Sequence, residues 1–234
     1  MKNDFVIGVL GGMGTYATIN LFQEYADIFK APKEWDRPRI IIDNRCTMPS
    51  RVRAYLYHEK VEELVNEMSE SMEYLTNAGA NKIILACMTS HLFLPTIYEK
   101  VPKLQGKVLN LIENCSKRIN EDQVKEVYLL GSEGTIGSKI FQNELEKYGI
   151  KCLVPDEKEY SSLRDVIEAV KQDNYTDETE KKFLDLVNRS DYVILGCTEL
   201  PILYKRYRDK IVIKKAYDPL RLALEELQKE YQND

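Results

Sequence analysis

The stretch KIILACMTSH, residues 82–91, carries an aliphatic run straight into a cysteine and then a polar segment. A continuous run of this kind reads as a strand covered on both faces, the mark of a parallel sheet flanked by helices. It returns 110 positions later as YVILGCTEL, residues 192–200: an apolar run, a small residue, a cysteine and an adjoining threonine. A second pair of markers lies upstream. LGGMGT (10–15) and LGSEGT (130–135) share Leu-Gly-x-x-Gly-Thr, stand 120 positions apart, and each follows an apolar run. Two markers repeated in the same order at nearly the same shift predict two related α/β halves. The ten-residue difference falls in the first half, which carries the additional segment NRCTMPSRVR (44–53).

Outward from these markers, FVIGVL (5–10), RIIID (39–43), KVLNL (107–111), EVYLL (126–130) and KIVIK (210–214) read as further strands. Between them Val61, Leu64, Val65, Met68, Met72 and Leu75 recur at helical spacing, as do Leu163, Val166, Ile167 and Val170. Strand–helix alternation predicts an α/β fold: two pseudo-symmetric three-layer α/β/α domains with mainly parallel sheets and an active-site cleft between them. VPKLQGK (101–107) is the expected crossover. The first domain is expected to hold residues 1–102 plus 214–234, with Cys87, and the second residues 103–213, with Cys197. The Leu220, Leu224 and Leu227 face of the final helix returns to the first domain to be buried.

The 234-residue chain is long enough to bury a sizeable core. Its net charge of −5 gives no basic footprint for nucleic acid, although a few focused cations can still hold a small anion. No apolar run approaches the ~20 residues of a membrane span, and the opening MKNDFVIGVLGG lacks a signal peptide's apolar core. Five scattered cysteines without CxxC spacing favour reduced thiols in the cytoplasm over disulfides or a metal site.

In open parallel sheets, ligands sit beyond the carboxyl ends of the strands, where both cysteines and both glycine loops are expected. A lone cysteine there is ordinarily a small core hydrophobe. Two in duplicated settings point to a shared task, and inverting a carbon centre is one that needs a thiol on each side. A thiolate removes a proton from one face while a thiol returns one to the other, the pair titrating as a unit. Cys46, Cys115 and Cys152 lack that setting.

GGMG near the start, the strand-end C-x-T-x-H and the later GCTEL with Pro201 resemble the aspartate/glutamate racemase family, most closely its aspartate racemase branch. The resemblance implies racemisation without pyridoxal phosphate, metal or other cofactor, by Cys87 and Cys197, in a homodimer acting on aspartate and, as an alternative, on glutamate or a broader set. It places Met13 in the substrate pocket and gives Thr89 and Thr198 the substrate α-carboxylate. Glu199 is implied to meet the ammonium or orient a neighbour, and Arg51 and Lys171 to supply the cations for a side-chain carboxylate. This chain departs from the family's CNTAH at Met88, an apolar thioether where an amide would contact substrate, and from GGMGP at Thr15. The departure at Met88 keeps open a relative that only binds amino acids.

Two other readings compete. Gly12, Gly14 and Ala17, with Asp43 at the next strand's end, satisfy a dinucleotide-binding pattern, but leave the second loop and both cysteines unexplained. Cys87 with His91 would make a hydrolase pair if a carboxylate oriented the imidazole.

Overall fold

A computed structural model describes residues 5–233; residues 1–4 and 234, which the expected first domain includes, lie outside the described residues. The chain divides into two compact units, residues 1–111 with 220–234, and residues 112–219.

The first unit contains β1 (Val6–Gly11), α1 (Thr15–Ile28), β2 (Arg39–Asn44), α2 (Arg51–Tyr57), α3 (Val61–Asn77), β3 (Lys82–Leu85) and α4 (Leu94–Lys100). Its parallel sheet has the order β2-β1-β3, so β1 is central, and all six of its residues are buried. Helix α3 turns Leu64, Met68, Met72 and Leu75 fully inward, each aliphatic side chain contributing about 1.5–3 kcal/mol on burial.

The chain enters the second unit through α5 (Leu111–Glu121). There follow β4 (Glu126–Gly131), α6 (Glu133–Gly137), α7 (Ile140–Glu146), β5 (Lys151–Leu153), α8 (Tyr160–Lys171), α9 (Asp177–Val187), β6 (Tyr192–Gly196), α10 (Leu200–Arg206) and β7 (Lys215–Tyr217). The sheet is again parallel, in the order β5-β4-β6-β7. Position by position this is the arrangement of the first sheet: the strand before the glycine loop is central, and the cysteine strand lies beside it. The final helix, α11 (Pro219–Asn233), belongs almost entirely to the first unit. There Arg221 is paired with the buried Glu24, and the Tyr231 hydroxyl donates to the Asp36 carbonyl at 2.8 Å.

Two expected strands, KVLNL and KIVIK, do not form. KVLNL is not a strand but a single parallel bridge, Val108 to Ile83, closed by bonds of 2.8 and 2.9 Å. That bridge holds residues 107–109 on the first sheet, in the position that β7 occupies in the second, and the crossing therefore falls at 111/112 where the sequence placed it at 102/103. KIVIK is likewise not a strand. Val212 is exposed, and its N–H bonds the Asn188 side chain at 2.9 Å instead of a ladder partner. The pairing segment is β7, whose Lys215 sits opposite Tyr192, and it keeps the chain in the second unit as far as 219, past the expected 213. The short β5, with only Cys152 and Leu153 apolar, gave no run long enough to see.

The extra segment of the first half forms the turn and short helix α2, started by Ser50, whose Oγ accepts from the Arg53 N–H at 3.3 Å. The second unit has no counterpart and passes from β5 through a single 3₁₀ turn into α8.

Candidate functional site

Each unit sets its glycine loop and its cysteine at the same end of adjacent parallel strands. In the first, Leu10 pairs with Leu85, two residues before Cys87; in the second, Leu130 pairs with Leu195, two residues before Cys197. The burial pattern over residues 81–90 repeats without change over 191–200. Each stretch has an exposed residue, a half-buried one, four buried, the half-buried cysteine, then three buried. The thiols are the points at which these two buried strands become accessible.

In the first unit the loop after β1 turns at Gly12 in the left-handed region, φ 79°. A Cβ there would lie 2.4 Å from the Arg45 carbonyl carbon and 2.5 Å from the Cys46 nitrogen, so the chain itself demands this glycine. Thr18 Oγ1 accepts from the Gly12 N–H at 3.1 Å and donates to the Gly14 carbonyl at 3.0 Å. Asp43, the acidic residue of the dinucleotide pattern, accepts from Ser71 Oγ at 2.6 Å.

Met13 is buried beyond this turn, and two residues hold it. Ser90 Oγ donates to its sulfur at 2.9 Å, and Arg51 Nη2 donates to its carbonyl at 2.7 Å. Arg51 Nη1 donates to the Pro49 carbonyl at 3.0 Å, while its buried Nε has no partner among the described residues. Arg51 thus ties α2 to the glycine loop. Met88 and Thr89 are buried directly after Cys87. Ser90, a member of the quoted CMTSH stretch, escaped the sequence reading because only the fold brings it to Met13, 77 positions away.

His91 is also buried, and both ring nitrogens are committed to backbone. The Leu111 N–H donates to Nε2 at 3.4 Å, which puts the ring proton on Nδ1, donating to the Cys87 carbonyl at 3.2 Å. The imidazole braces the cysteine's peptide rather than its sulfur, so the hydrolase pairing is not formed. Burial pushes its pKa down to about 4, against bonds with Cys87, Leu109 and Met88 that favour the charged ring. Between that value and the ordinary 6.5 the unfolded chain binds a proton that the folded one refuses. Stability from this group is therefore full above pH 6.5 and falls by roughly 3 kcal/mol as pH drops to 4. Denaturation midpoints measured across that range should show a shallower acid loss in His91→Gln; an unchanged slope would contradict the neutral, buried imidazole.

In the second unit the loop after β4 opens α6, with Ser132 as its N-cap: its Oγ accepts from the Thr135 N–H at 3.2 Å. After β6, Cys197 Sγ donates to Glu199 Oε2 at 3.0 Å, and Thr198 Oγ1 donates to the same oxygen at 3.2 Å. Glu199 is 2% exposed, and among the described residues its Oε1 has no hydrogen-bond partner. Lys171, at the end of α8, donates to Glu168 Oε1 at 2.7 Å. Burial pulls its pKa down, but the Glu168 bond, the Glu199 charge and that of Cys197 whenever it is ionised outweigh it and hold the ammonium above its usual value. The fold therefore assembles four residues singled out from sequence, Lys171, Cys197, Thr198 and Glu199, within one electrostatic neighbourhood.

Among the described residues no group of three or more His, Cys, Asp or Glu side chains is clustered to hold a metal ion, and no helix is long and apolar enough to cross a membrane.

Comparison with known proteins finds a similar overall fold. Against an aspartate racemase of Picrophilus torridus the TM-score is 0.80 at 26% identity, covering 97% of this chain and 98% of that one. An aspartate racemase homologue from Pyrococcus horikoshii OT3 gives 0.74 at 22% identity over 99% and 100%, a likeness of fold. A glutamate racemase of Koribacter versatilis (strain Ellin345) is 23% identical over 141 residues, 56% of this chain and 45% of that protein. The chain spans about half the length of the curated relatives it matches. The profile of the Asp/Glu/Hydantoin racemase family matches residues 10–227, a span that takes in both copies of the repeated loop and strand end. This chain belongs to the Asp/Glu/Hydantoin racemase family.

Proposed function

We propose that the protein is an amino-acid racemase, an isomerase that interconverts L- and D-aspartate without a cofactor, using Cys87 and Cys197 as its two acid/base groups. The observation that carries this reading is the pair of half-buried thiols at corresponding strand ends, in the same ten-residue burial pattern. One thiolate takes the α-proton and becomes a thiol. The electron pair left behind spreads into the α-carboxylate, and the opposite thiol then donates its proton to the other face and becomes the thiolate. One proton leaves the substrate and one enters it, so the step balances without a redox partner or cofactor. The reading requires the two sulfurs to address opposite faces of one α-carbon.

The remaining residues have roles that follow from their chemistry. Removing the α-proton loads charge onto the α-carboxylate, where Thr89 and nearby backbone N–H groups supply donors, joined by Thr198 when its hydroxyl turns from Glu199 to the substrate. Oε1 of Glu199, buried and without a partner, accepts from the substrate ammonium. Arg51 and Lys171 meet the side-chain carboxylate, Met13 and Met88 line the pocket, and the protein works as a cytoplasmic homodimer. The second reading is a glutamate or broad-specificity racemase, favoured by the apolar, buried Met88 beside Cys87.

Chiral analysis of the twenty amino acids after incubation with purified protein and no pyridoxal phosphate tests the proposal. D-Aspartate from L-aspartate, approaching a racemic mixture, is the expected result. Faster turnover of glutamate would move the assignment to the second reading, and no inversion of any amino acid would leave a binding protein. Arg51→Ala should weaken aspartate turnover about 10- to 100-fold more than alanine turnover, the worth of a charge-assisted contact. Equal losses on both substrates would reduce Arg51 to its bond with the Met13 carbonyl.

A further inference from the structure

The two strand ends differ in one respect that bears on how the reaction starts. Cys197 donates its proton to a carboxylate, Glu199 Oε2 at 3.0 Å, which also receives the Thr198 hydroxyl. The same burial pattern in the first unit puts Thr89 where Glu199 stands and Met88 where Thr198 stands. No carboxylate follows Cys87, and the nearby His91 is neutral, with both nitrogens on backbone.

A carboxylate as deeply buried as Glu199 has lost most of its water and depends on the donors the chain provides. The Cys197 thiol and the Thr198 hydroxyl both reach Oε2. Ionising that thiol would remove the donor and set a second negative charge 3.0 Å from the first, at a site where low solvent exposure weakens screening. Of the charged groups around it, Glu199 lies on the same turn, and Lys171 with its partner Glu168 lies on α8. Lys171 carries a single positive charge that already serves Glu168, so it does not offset two anions at Glu199 and Cys197.

We propose that Glu199 is a positioning residue that keeps the active-site proton on Cys197, so that the resting protein presents Cys87 as the base and Cys197 as the acid. This rests on the two-cysteine reading above and adds a direction to it. The resting form is ready for the enantiomer whose α-hydrogen faces Cys87. The form left after turnover, with Cys197 as thiolate, returns to rest by exchanging its proton. An equilibrium constant of one forces kcat/KM to be equal for the two enantiomers, so the bias appears in KM and kcat taken separately.

Thiol reactivity tests this without any need for turnover. The unliganded protein is alkylated with iodoacetamide between pH 5 and 10, and peptide mass spectrometry follows Cys87 and Cys197 individually. Cys87 should react faster than Cys197 at pH 7. Glu199→Gln should move the Cys197 profile to lower pH by a unit or more, about a tenfold gain in rate at pH 7 for each unit. Glu199→Asp, which keeps the charge, should move it less. The wild-type order of reactivity needs no variant to fold: Cys197 reacting as fast as Cys87 overturns the proposal, as does a Cys197 profile unmoved in Glu199→Gln. Failure of the racemase reading is recognised separately, by the absence of inverted amino acid in the chiral assay while Cys197 still responds to Glu199.

Discussion

Cys87→Ser and Cys197→Ser should each lower racemisation at least about a thousandfold, within the range set by loss of a positioned acid or base. A serine hydroxyl keeps the size and a hydrogen bond, but its proton is held too tightly for it to serve as base near neutral pH. The two variants should fail differently. With one thiol left, a single face of the substrate can still exchange its α-proton with solvent, so each variant should incorporate deuterium into one enantiomer only, and the two variants into opposite ones. Deuterium incorporation read by mass spectrometry together with chiral chromatography separates this from general damage. Wild-type racemisation by either variant removes that cysteine from the mechanism. The substitutions should leave the fold intact, since both thiols sit where the buried strands end rather than within the fully buried run.

The second large effect concerns the glycine loop of the first unit. Gly12→Ala should cost roughly 3–5 kcal/mol, from strain at a positive φ and a methyl group driven into backbone that cannot withdraw. The threatened atoms are the Arg45 carbonyl carbon and nitrogen and the Cys46 nitrogen, all within 2.6 Å of the new Cβ. Such a loss is a large share of the ~5–15 kcal/mol that holds a typical domain folded. Gly106→Ala is the matched control, because Gly106 has the same φ of 79° but nothing within 4 Å of its Cβ. It should cost about 1 kcal/mol, the conformational part alone. Urea midpoints for the two variants read the difference. Equal losses would mean that the backbone approach at Arg45–Cys46 contributes nothing.

Much of this fold can be read from the sequence because its central strands are long, continuous and apolar. Past their first residues FVIGVL, EVYLL, KIILA and YVILG are buried throughout, and hydrophobicity alone marks them. The edges are a different matter. Residues 107–109 pair through one bridge, β5 and β7 have three residues each, and KIVIK offers a stronger strand pattern than the segment that does pair. Pairing there is decided by which neighbour the sheet still lacks, a tertiary question that local pattern does not answer. The positions of the crossings between units depend on those same edges.

The candidate site divides in the same way. Its residues announce themselves through the repeat and a family resemblance, but their contacts do not. Arg51 reads as a free cation for substrate, whereas two of its nitrogens are spent on the Pro49 and Met13 carbonyls. His91 reads as a possible base four residues after Cys87, whereas burial and two backbone bonds keep it neutral. The bond from Cys197 to Glu199 spans two positions in an irregular turn, a spacing that in a helix would point the side chains apart.

The most direct test of two thiols serving one carbon is incubation of L-aspartate with the purified protein in D2O, without pyridoxal phosphate, sampled early in the reaction. Two bases predict D-aspartate carrying deuterium at its α-carbon while the remaining L-aspartate stays almost unlabelled, because the proton returned comes from the second, solvent-exchanged thiol. Equal labelling of both enantiomers would indicate a single base acting on either face. No D-aspartate at all would contradict the aspartate racemase account.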